Sequence, residues 1–369
     1  TSMRNLLLLF LILLINTNVH SQCQSRYQNE IFSSTNKLTI NYSDVYNDNA
    51  HKMDIYTGDG DTATNRPLII FHHGGSYYQG SKENPGSVDF CTAFAKRGYV
   101  AVSANYRLVS LLNIVSFLSS HAEQYEEVLK ATSDMKAVIR FFKKEFANGN
   151  LYGIDTNAIF VGGISSGGIT AVHTAYIDQL SDLPTSPIDV QAIANSLGGL
   201  EGDAGNYGFS SSVNGVINFA GGIQQLSWID SSDEPIFSAQ GDNDVIVNYY
   251  CGPGLDNPFV LDLCGLGEIH PICDNLGILN EGLTFNNFDH NWVIGNSQAE
   301  FNQAVNAASD FLYPILPCNQ STQIEDSNIL NKELVKVVDI LGREASAKIG
   351  AFLFYIYNDG TIEKKYITE

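Results

Sequence analysis

Basic residues are scarce in this sequence. Its 369 residues carry 20 Lys and Arg against 40 Asp and Glu, a formal net charge of −20, and so acidic a surface repels nucleic acid, anionic lipid and polyanionic glycans. Nucleic-acid binding is thereby excluded as the main activity, and stable membrane insertion is not expected. The longest apolar run, Leu6–Ile15, has ten residues, too few to cross a hydrocarbon core of about 30 Å as a helix. Also missing is any Cys-x-x-Cys pair, the usual mark of a structural zinc site. Core material, by contrast, is plentiful. Hydrophobic residues make up 44% and aromatics 11%, enough to exclude wholesale disorder and to fill one large domain with appendages or two ordinary ones.

The N-terminus reads as an address. Arg4 gives a short positive start, Leu6–Ile15 follows, and Val19-His20-Ser21 fits a small-residue cleavage site before Gln22. Residues 1–21 are therefore expected to be an export signal, with Thr1-Ser2 an addition ahead of Met3. The residues before Cys23 lack the pattern of a lipid-attachment site, so a released, extracellular product is expected over a lipoprotein. All six cysteines, Cys23, Cys91, Cys251, Cys264, Cys273 and Cys318, lie beyond this point, and an even number in an exported chain predicts disulfides. The sequence does not choose the pairing; the crowding of three into 251–273 predicts at least one local bridge.

From residue 37 strands and helices alternate. Lys37–Ser43 and His51–Thr57 are β-rich and flank an Asp/Asn turn, as in a hairpin. Leu68–Phe71 and Tyr99–Asn105 are unbroken apolar runs, the pattern of strands covered on both faces. Glu126–Phe146 carries Val128, Met135, Val138, Ile139 and Phe142 at helix-face spacing. Further strands are expected at Ala158–Gly162, Val213–Phe219, Pro235–Gln240 and Leu283–Phe288, and a last helix near Ala299–Tyr313. The fold class is α/β: one open, mostly parallel sheet of about eight strands with an antiparallel start, flanked by helices. Asp182–Ser212 and Tyr249–Gly282 break this rhythm and read as excursions at the carboxyl edge of the sheet, where open α/β sheets bind ligands. After Pro317-Cys318 the composition changes. Leu334–Leu341 and Ala351–Tyr357 are β-rich, the latter joined to Thr361–Ile367 through Asn358-Asp359-Gly360, a hairpin signal. The expected boundaries are 1–21, 22–318 and 319–369.

Gly163-Ile164-Ser165-Ser166-Gly167 lies between a predicted strand and a predicted helix. The pattern alone is common; in that setting it is a nucleophile elbow, whose glycines let the chain turn sharply and thrust the Ser165 hydroxyl into a cleft. The helix N-terminus adds partial positive charge where an oxyanion would form. A lone hydroxyl is a poor nucleophile and needs a base oriented by a carboxylate. With the chain order Ser, acid, His, only His270 and His290 qualify; His290, in Phe288-Asp289-His290 before the last helix, is favoured, and His270 reads as a surface or excursion residue. In Gly241-Asp242-Asn243-Asp244, Asp244 is favoured as the acid and Asp242 as a turn cap. Upstream, Phe71-His72-His73-Gly74-Gly75-Ser76 follows a strand, and the N–H groups of Gly74 and Gly75, with that of Ser166, would form an oxyanion hole. A His72-His73 metal pair is disfavoured, because neighbouring strand residues point to opposite faces.

These pieces in this order resemble the α/β-hydrolase superfamily, in particular secreted carboxylesterases of the HGG type, over about residues 30–316. Tyr106-Arg107-Leu108, and Ala131–Asp134 leading into Lys136–Phe141, are similar to that family's structural strand end and following helix. Ser166 stands where Ala or Met is often found and Ser76 where a third glycine is common; both are small. The resemblance implies an ester hydrolase with catalytic Ser165, Asp244 and His290, working through an acyl-enzyme with neither metal nor organic cofactor. A peptidase of the same fold and a non-catalytic binding protein are the alternatives. Leu108–Leu118, Tyr77, Tyr78, Trp228 and Trp292 are expected either to line an aromatic or acyl recess or to be core; hydroxycinnamoyl esters, acetylated glycans and polyester surfaces are candidate substrates. Residues 334–344, with Tyr357–Thr361 and Glu363–Lys365, resemble the C-terminal sorting domain of type IX secretion substrates in Bacteroidetes, which implies recognition by that export machinery.

Overall fold

The computed structural model describes residues 23, 25–294, 298–319, 334–339, 343, 345, 352–357 and 362–366. The expected export signal over 1–21 and the turn Asn358-Asp359-Gly360 lie outside the described residues. By its internal contacts the chain divides into two units, Thr1–Asn319 and Gln320–Glu369.

In chain order the first unit holds β1 (Thr35–Asn41), β2 (Lys52–Gly58), β3 (Arg66–His72), α1 (Pro85–Lys96), β4 (Val100–Ala104), α2 (His121–Ala147), β5 (Ile154–Ile164), α3 (Ser166–Tyr176), α4 (Val190–Ser196), β6 (Val216–Phe219), β7 (Ile236–Gly241), β8 (Cys251–Pro253), β9 (Asp262–Cys264), α5 (Leu266–Leu276), β10 (Asn280–Phe285) and α6 (Gln298–Leu312). Eight strands form one sheet in the order β1-β2-β4-β3-β5-β6-β7-β10. β2 pairs antiparallel with both β1 and β4, and every later pairing is parallel. The expected α/β sheet with an antiparallel start is thus present.

The unbroken apolar strands are explained by two cores, one on each face. Leu68, Ile70, Val100, Val102, Ile159 and Val161 pack against Met135, Val138, Ile139 and Phe142 of α2. Their neighbours Ile69, Phe71, Ala101 and Phe160 point the other way, onto Phe90 and Phe94 of α1 and Phe301 and Ala304 of α6. Successive side chains alternate across a strand, so both parities must be apolar here. α2 starts where Ser120 caps the N–H of Glu123, and α1 opens on Pro85, whose missing N–H costs nothing at a helix start.

Three details differ from the sequence expectation. The last strand ends at Phe285, not Phe288, because Asn287 takes φ 64° and turns the chain. The excursion 249–282 is not irregular: it contains the β8–β9 hairpin and α5. The other excursion contains α4, capped by Asp189 on the N–H of Ala192 at 2.9 Å. The expected local bridge forms as Cys251–Cys264, across β8 and β9, and a second bridge joins Cys23 to Cys318; Cys91 and Cys273 are free and buried. No helix among the described residues is long and apolar enough to cross a membrane.

The second unit contains an antiparallel sheet of β11 (Leu334–Val338), β12 (Phe352–Tyr357) and β13 (Ile362–Tyr366). Val338 and Leu353 are buried in it.

Candidate active site

A turn that only small residues permit sets the position of Ser165. β5 ends at Ile164, Ser165 adopts φ 55° and ψ −119°, and α3 begins at once. A non-glycine residue in such a conformation stores about 1–3 kcal/mol of strain. Two backbone bonds hold it there: Ser165 N–H to Phe219 O at 2.8 Å and Ile169 N–H to Ser165 O at 2.9 Å. A Cβ on Gly163 would run into Gly167, and one on Gly167 into the carbonyl of His72. The elbow therefore packs backbone to backbone against the end of β3.

Two other strand ends deliver the partners. Asp244 follows β7, and His290 opens the 3-10 turn His290–Ile294 beyond β10. His290 Nε2 lies 2.9 Å from Ser165 Oγ, and its Nδ1 lies 2.7 Å from Asp244 Oδ2. A carboxylate only accepts, so the ring proton sits on Nδ1 and Nε2 is left to accept from the serine hydroxyl. Asp244 is itself fixed: Oδ1 accepts from the N–H groups of Ile246 at 2.9 Å and Val247 at 3.0 Å, and Gln240 Nε2 stands 3.5 Å from Oδ2. Gln240 is held in turn by donating to Val247 O and accepting from Leu266 N–H. All three side chains are buried. Asp242 instead is exposed and accepts the N–H of Asn287 at 2.6 Å, fastening the turn that leads to His290. His270, expected as a surface or excursion residue, lies in the excursion and is buried there. The segment folds as α5, whose inner face buries Ile269, His270 and Cys273, and its Nδ1 bonds Asn280 Oδ1 at 2.7 Å.

The loop after β3 faces the elbow. A Cβ on Gly74 would press on Ile164 O and on Ser165 Cβ. Gly75 takes φ 135°, and its carbonyl accepts from the N–H groups of Tyr78 and Gln79 at 3.2 and 3.1 Å. Among the described residues, nothing accepts from the N–H groups of Gly74 and Gly75, while Ser166 N–H belongs to the first turn of α3, where donors have no partner within the helix. Tyr106 was expected to be structural; its hydroxyl donates to His73 O at 2.9 Å and lies 3.2 Å from Ser166 Oγ. Tyr77 donates to Ser166 O at 3.0 Å. His72 and His73 both stack on Tyr106. Burial holds His72 well below the usual histidine range and His73 down at about 4, against the bond from its Nδ1 to Gly74 O. Both rings are neutral packing groups.

From Ser165 opens a recess of about 80 Å³. One wall is Ile169, His173 and Ile177, every fourth residue on from the serine; Tyr125, Val128 and Leu129 of α2 lie on another. The excursions supply Leu183 and the stretch around Leu255–Leu263, and Phe117 and Trp228 complete the enclosure. Of the residues expected either to line a recess or to be core, Tyr77 lies in the lining. Trp292 does not. It is 1% exposed, packed against Phe285 at 4.8 Å and Phe219 at 5.8 Å in the core on the α1/α6 face. Tyr78 also stays outside the lining, half-buried against the cluster of Tyr77 and Tyr106. Sequence reading missed Gln240, His173 and Gln224; for His173 the signal was its place eight residues after Ser165, on one helix face.

A family model described as BD-FAE matches residues 53–224, from β2 through the elbow to the recess. None of the curated proteins matches. Among solved structures, a propionate-bound thermophilic esterase of the planctomycete Thermogutta terrifontis is similar at 21% identity, with a TM-score of 0.53 over 79% of this chain and 97% of that one. A truncated carbohydrate esterase from gut microbiota shows 18% identity and a TM-score of 0.51 over 77% and 98%. A bifunctional GH43-CE protein of Bacteroides eggerthii shows 19% identity and a TM-score of 0.53, over 75% of this chain and 38% of that one. The strand order, the elbow after the fifth strand and these likenesses together give the chain the α/β-hydrolase fold.

Proposed function

We propose that this α/β-hydrolase is a serine carboxylic-ester hydrolase. The observation that carries the reading is His290 bridging Ser165 Oγ and Asp244 Oδ2 at 2.9 and 2.7 Å. Ser165 Oγ attacks the ester carbonyl while His290 Nε2 takes its proton; Asp244, accepting from Nδ1–H, stabilises the imidazolium. The N–H groups of Gly74, Gly75 and Ser166 receive the tetrahedral oxyanion, each such donor being worth about 3–4 kcal/mol in the transition state. His290 then gives the proton to the departing alcohol, leaving an acyl group on Ser165. A water that His290 deprotonates attacks that acyl carbon, and collapse of the second intermediate frees the acid and returns the proton to Ser165. The neighbours described as esterases and the carbohydrate esterase support an ester as substrate, and the apolar recess suits an aromatic or alkyl group on it. A fluorophosphonate is expected to label one serine; Ser165→Ala should abolish both labelling and p-nitrophenyl acetate hydrolysis, and full turnover by that variant would refute the reading.

Residues 22–318 are the catalytic body in this reading and 319–369 a sorting segment that takes the protein out through type IX secretion; the motifs at 334–344 and 357–365 support it. Expression in a type IX-competent bacterium should place the full chain in the medium and leave a chain ending at 318 in the periplasm. Equal distribution of the two would refute the sorting role.

A further inference from the structure

The recess beyond Ser165 is built of Ile, Leu, Val and aromatic rings, yet two of its polar groups present acceptors to which nothing donates. The first is His173. It stands two turns along α3 from the nucleophile, on the face shared with Ile169, a distance of about 12 Å along the helix. The ring is 3% exposed, and its Nδ1 lies 2.7 Å from the carbonyl oxygen of Ile169. A carbonyl only accepts, so the proton is on Nδ1 and Nε2 carries a lone pair. Burial lowers its pKa to about 4 in spite of that bond, and the ring stays neutral at ordinary pH. It is held edge-on to Trp228 at 5.3 Å, and Trp228 is fixed by its own bond from Nε1 to Asp182 O at 2.7 Å. Nε2 bonds to no described residue.

The second is Gln224, on the loop after β6. Gly221 of that loop abuts Gly168 and Ile169 of α3, and Gln224 reaches the recess three residues on. Its Oε1 is buried without a hydrogen-bond donor. Tyr125 closes the recess beside it, with its hydroxyl near the amides of Gln224 and Gln225. An unpaired buried acceptor such as Gln224 Oε1 carries an uncompensated desolvation cost, and polar groups lining an apolar pocket mark where a ligand's polar group belongs.

We infer that His173 and Gln224 are specificity-determining residues that read a hydroxyl group at the far end of whichever part of the ester fills the recess. The hydroxyl donates to His173 Nε2. It accepts from the Gln224 amide, whose oxygen and nitrogen change places by a half-turn of the terminal bond. This inference rests on the ester-hydrolase reading above. It holds whether the hydroxyl belongs to the acyl or to the alcohol portion, and the test separates the two.

The test uses two pairs of esters with the full chain: methyl 3-(4-hydroxyphenyl)propanoate against methyl 3-phenylpropanoate, and 2-(4-hydroxyphenyl)ethyl acetate against 2-phenylethyl acetate. In one pair the wild type is expected to favour the hydroxylated member in kcat/KM by about tenfold or more, and the pair that responds identifies the portion bound. His173→Phe, which keeps a ring and removes the acceptor, should bring that ratio close to one, and Gln224→Met should lower it. The ratio is read on two substrates with one preparation, so a general loss of activity cancels; if His173→Phe does not fold, the wild-type ratio and Gln224→Met decide. A wild-type ratio near one in both pairs, or a preference that survives the substitutions, overturns the inference. If p-nitrophenyl acetate is turned over without such a preference, only this inference falls; if no ester is hydrolysed and no fluorophosphonate bound, the esterase reading falls with it.

Discussion

The Tyr106 hydroxyl lies between His73 O, to which it donates at 2.9 Å, and Ser166 Oγ, at 3.2 Å. One buried side chain thereby ties the loop bearing Gly74 and Gly75 to the first residue of α3, the two segments whose N–H groups are proposed to meet the oxyanion. Removing the hydroxyl loosens the register between those donors without touching Ser165 or the recess. Tyr106→Phe is expected to lower kcat for p-nitrophenyl acetate about tenfold with KM nearly unchanged, and to cost about 1 kcal/mol of stability. Steady-state kinetics with a melting curve check this; a rise in KM at constant kcat would place Tyr106 in substrate binding instead.

Asp242 acts on the site through the turn that carries His290. Its Oδ1 accepts Asn287 N–H, while Asp242 N–H and Asn243 N–H donate to Phe285 O and Phe288 O, so the left-handed Asn287 is clamped from both sides. Asp242→Ala should reduce kcat/KM for short esters about three- to tenfold and slow fluorophosphonate labelling in proportion. Asp242→Asn keeps an oxygen acceptor and should recover most of the loss. Lack of any rescue would mean that the charge, and not the turn, is what matters.

The alternation of strands and helices and the elbow were legible because each rests on local chemistry, apolar runs and glycines at a turn; Asp244 and His290 were picked as a carboxylate and an imidazole at predicted strand ends. The structure brings Ser165, Asp244 and His290 within hydrogen-bonding distance. What was not legible depends on packing. Nothing in the sequence around Trp292 distinguishes a recess wall from a core wedge; its fate is decided by Phe219 and Phe285, some 70 and seven residues away. His270 lies in the excursion, one of the two places expected for it, but its burial was not legible, since Pro271 disguised a helix that begins five residues earlier at Leu266, so that the proline falls in its second turn and not at its start. The bond from Tyr106 to His73 joins residues 33 apart and leaves no periodic trace.

The two disulfides should fail differently. Cys251–Cys264 closes a segment holding Leu255, Val260, Leu261 and Leu263, all lining the recess, whereas Cys23–Cys318 spans a sequence separation of 295 and lies away from it. Cys251→Ser with Cys264→Ser is expected to raise KM for aryl esters at least about fivefold while barely altering p-nitrophenyl acetate turnover. Cys23→Ser with Cys318→Ser should lower Tm by several degrees, as loss of a cross-link closing a long loop does, with unchanged kinetics. Kinetics for both pairs, set beside melting curves, would expose the assignment as wrong if the effects were interchanged.

Asp233 and Glu234 give the fold a pH dependence of unusual sign. Burial, reinforced by the charges of Asp230 and Asp178, raises the Asp233 carboxyl to about 7, and burial likewise raises Glu234 to about 7. The folded chain therefore holds protons that the unfolded chain, with ordinary carboxylates near 4, has already released. Stability contributed by the neutral forms is present at low pH and is lost as pH rises from about 4 to about 7. Asp233→Asn keeps an acceptor for the N–H of Asp230, which Asp233 Oδ2 now takes at 2.8 Å, and removes the need to bury a charge. The variant should melt above the wild type at pH 8, with the gap shrinking steadily towards pH 4. Denaturant titrations of both proteins at pH 4, 6 and 8 decide the matter, and a gap that is constant, or widest at pH 4, would show that Asp233 is not protonated in the folded state.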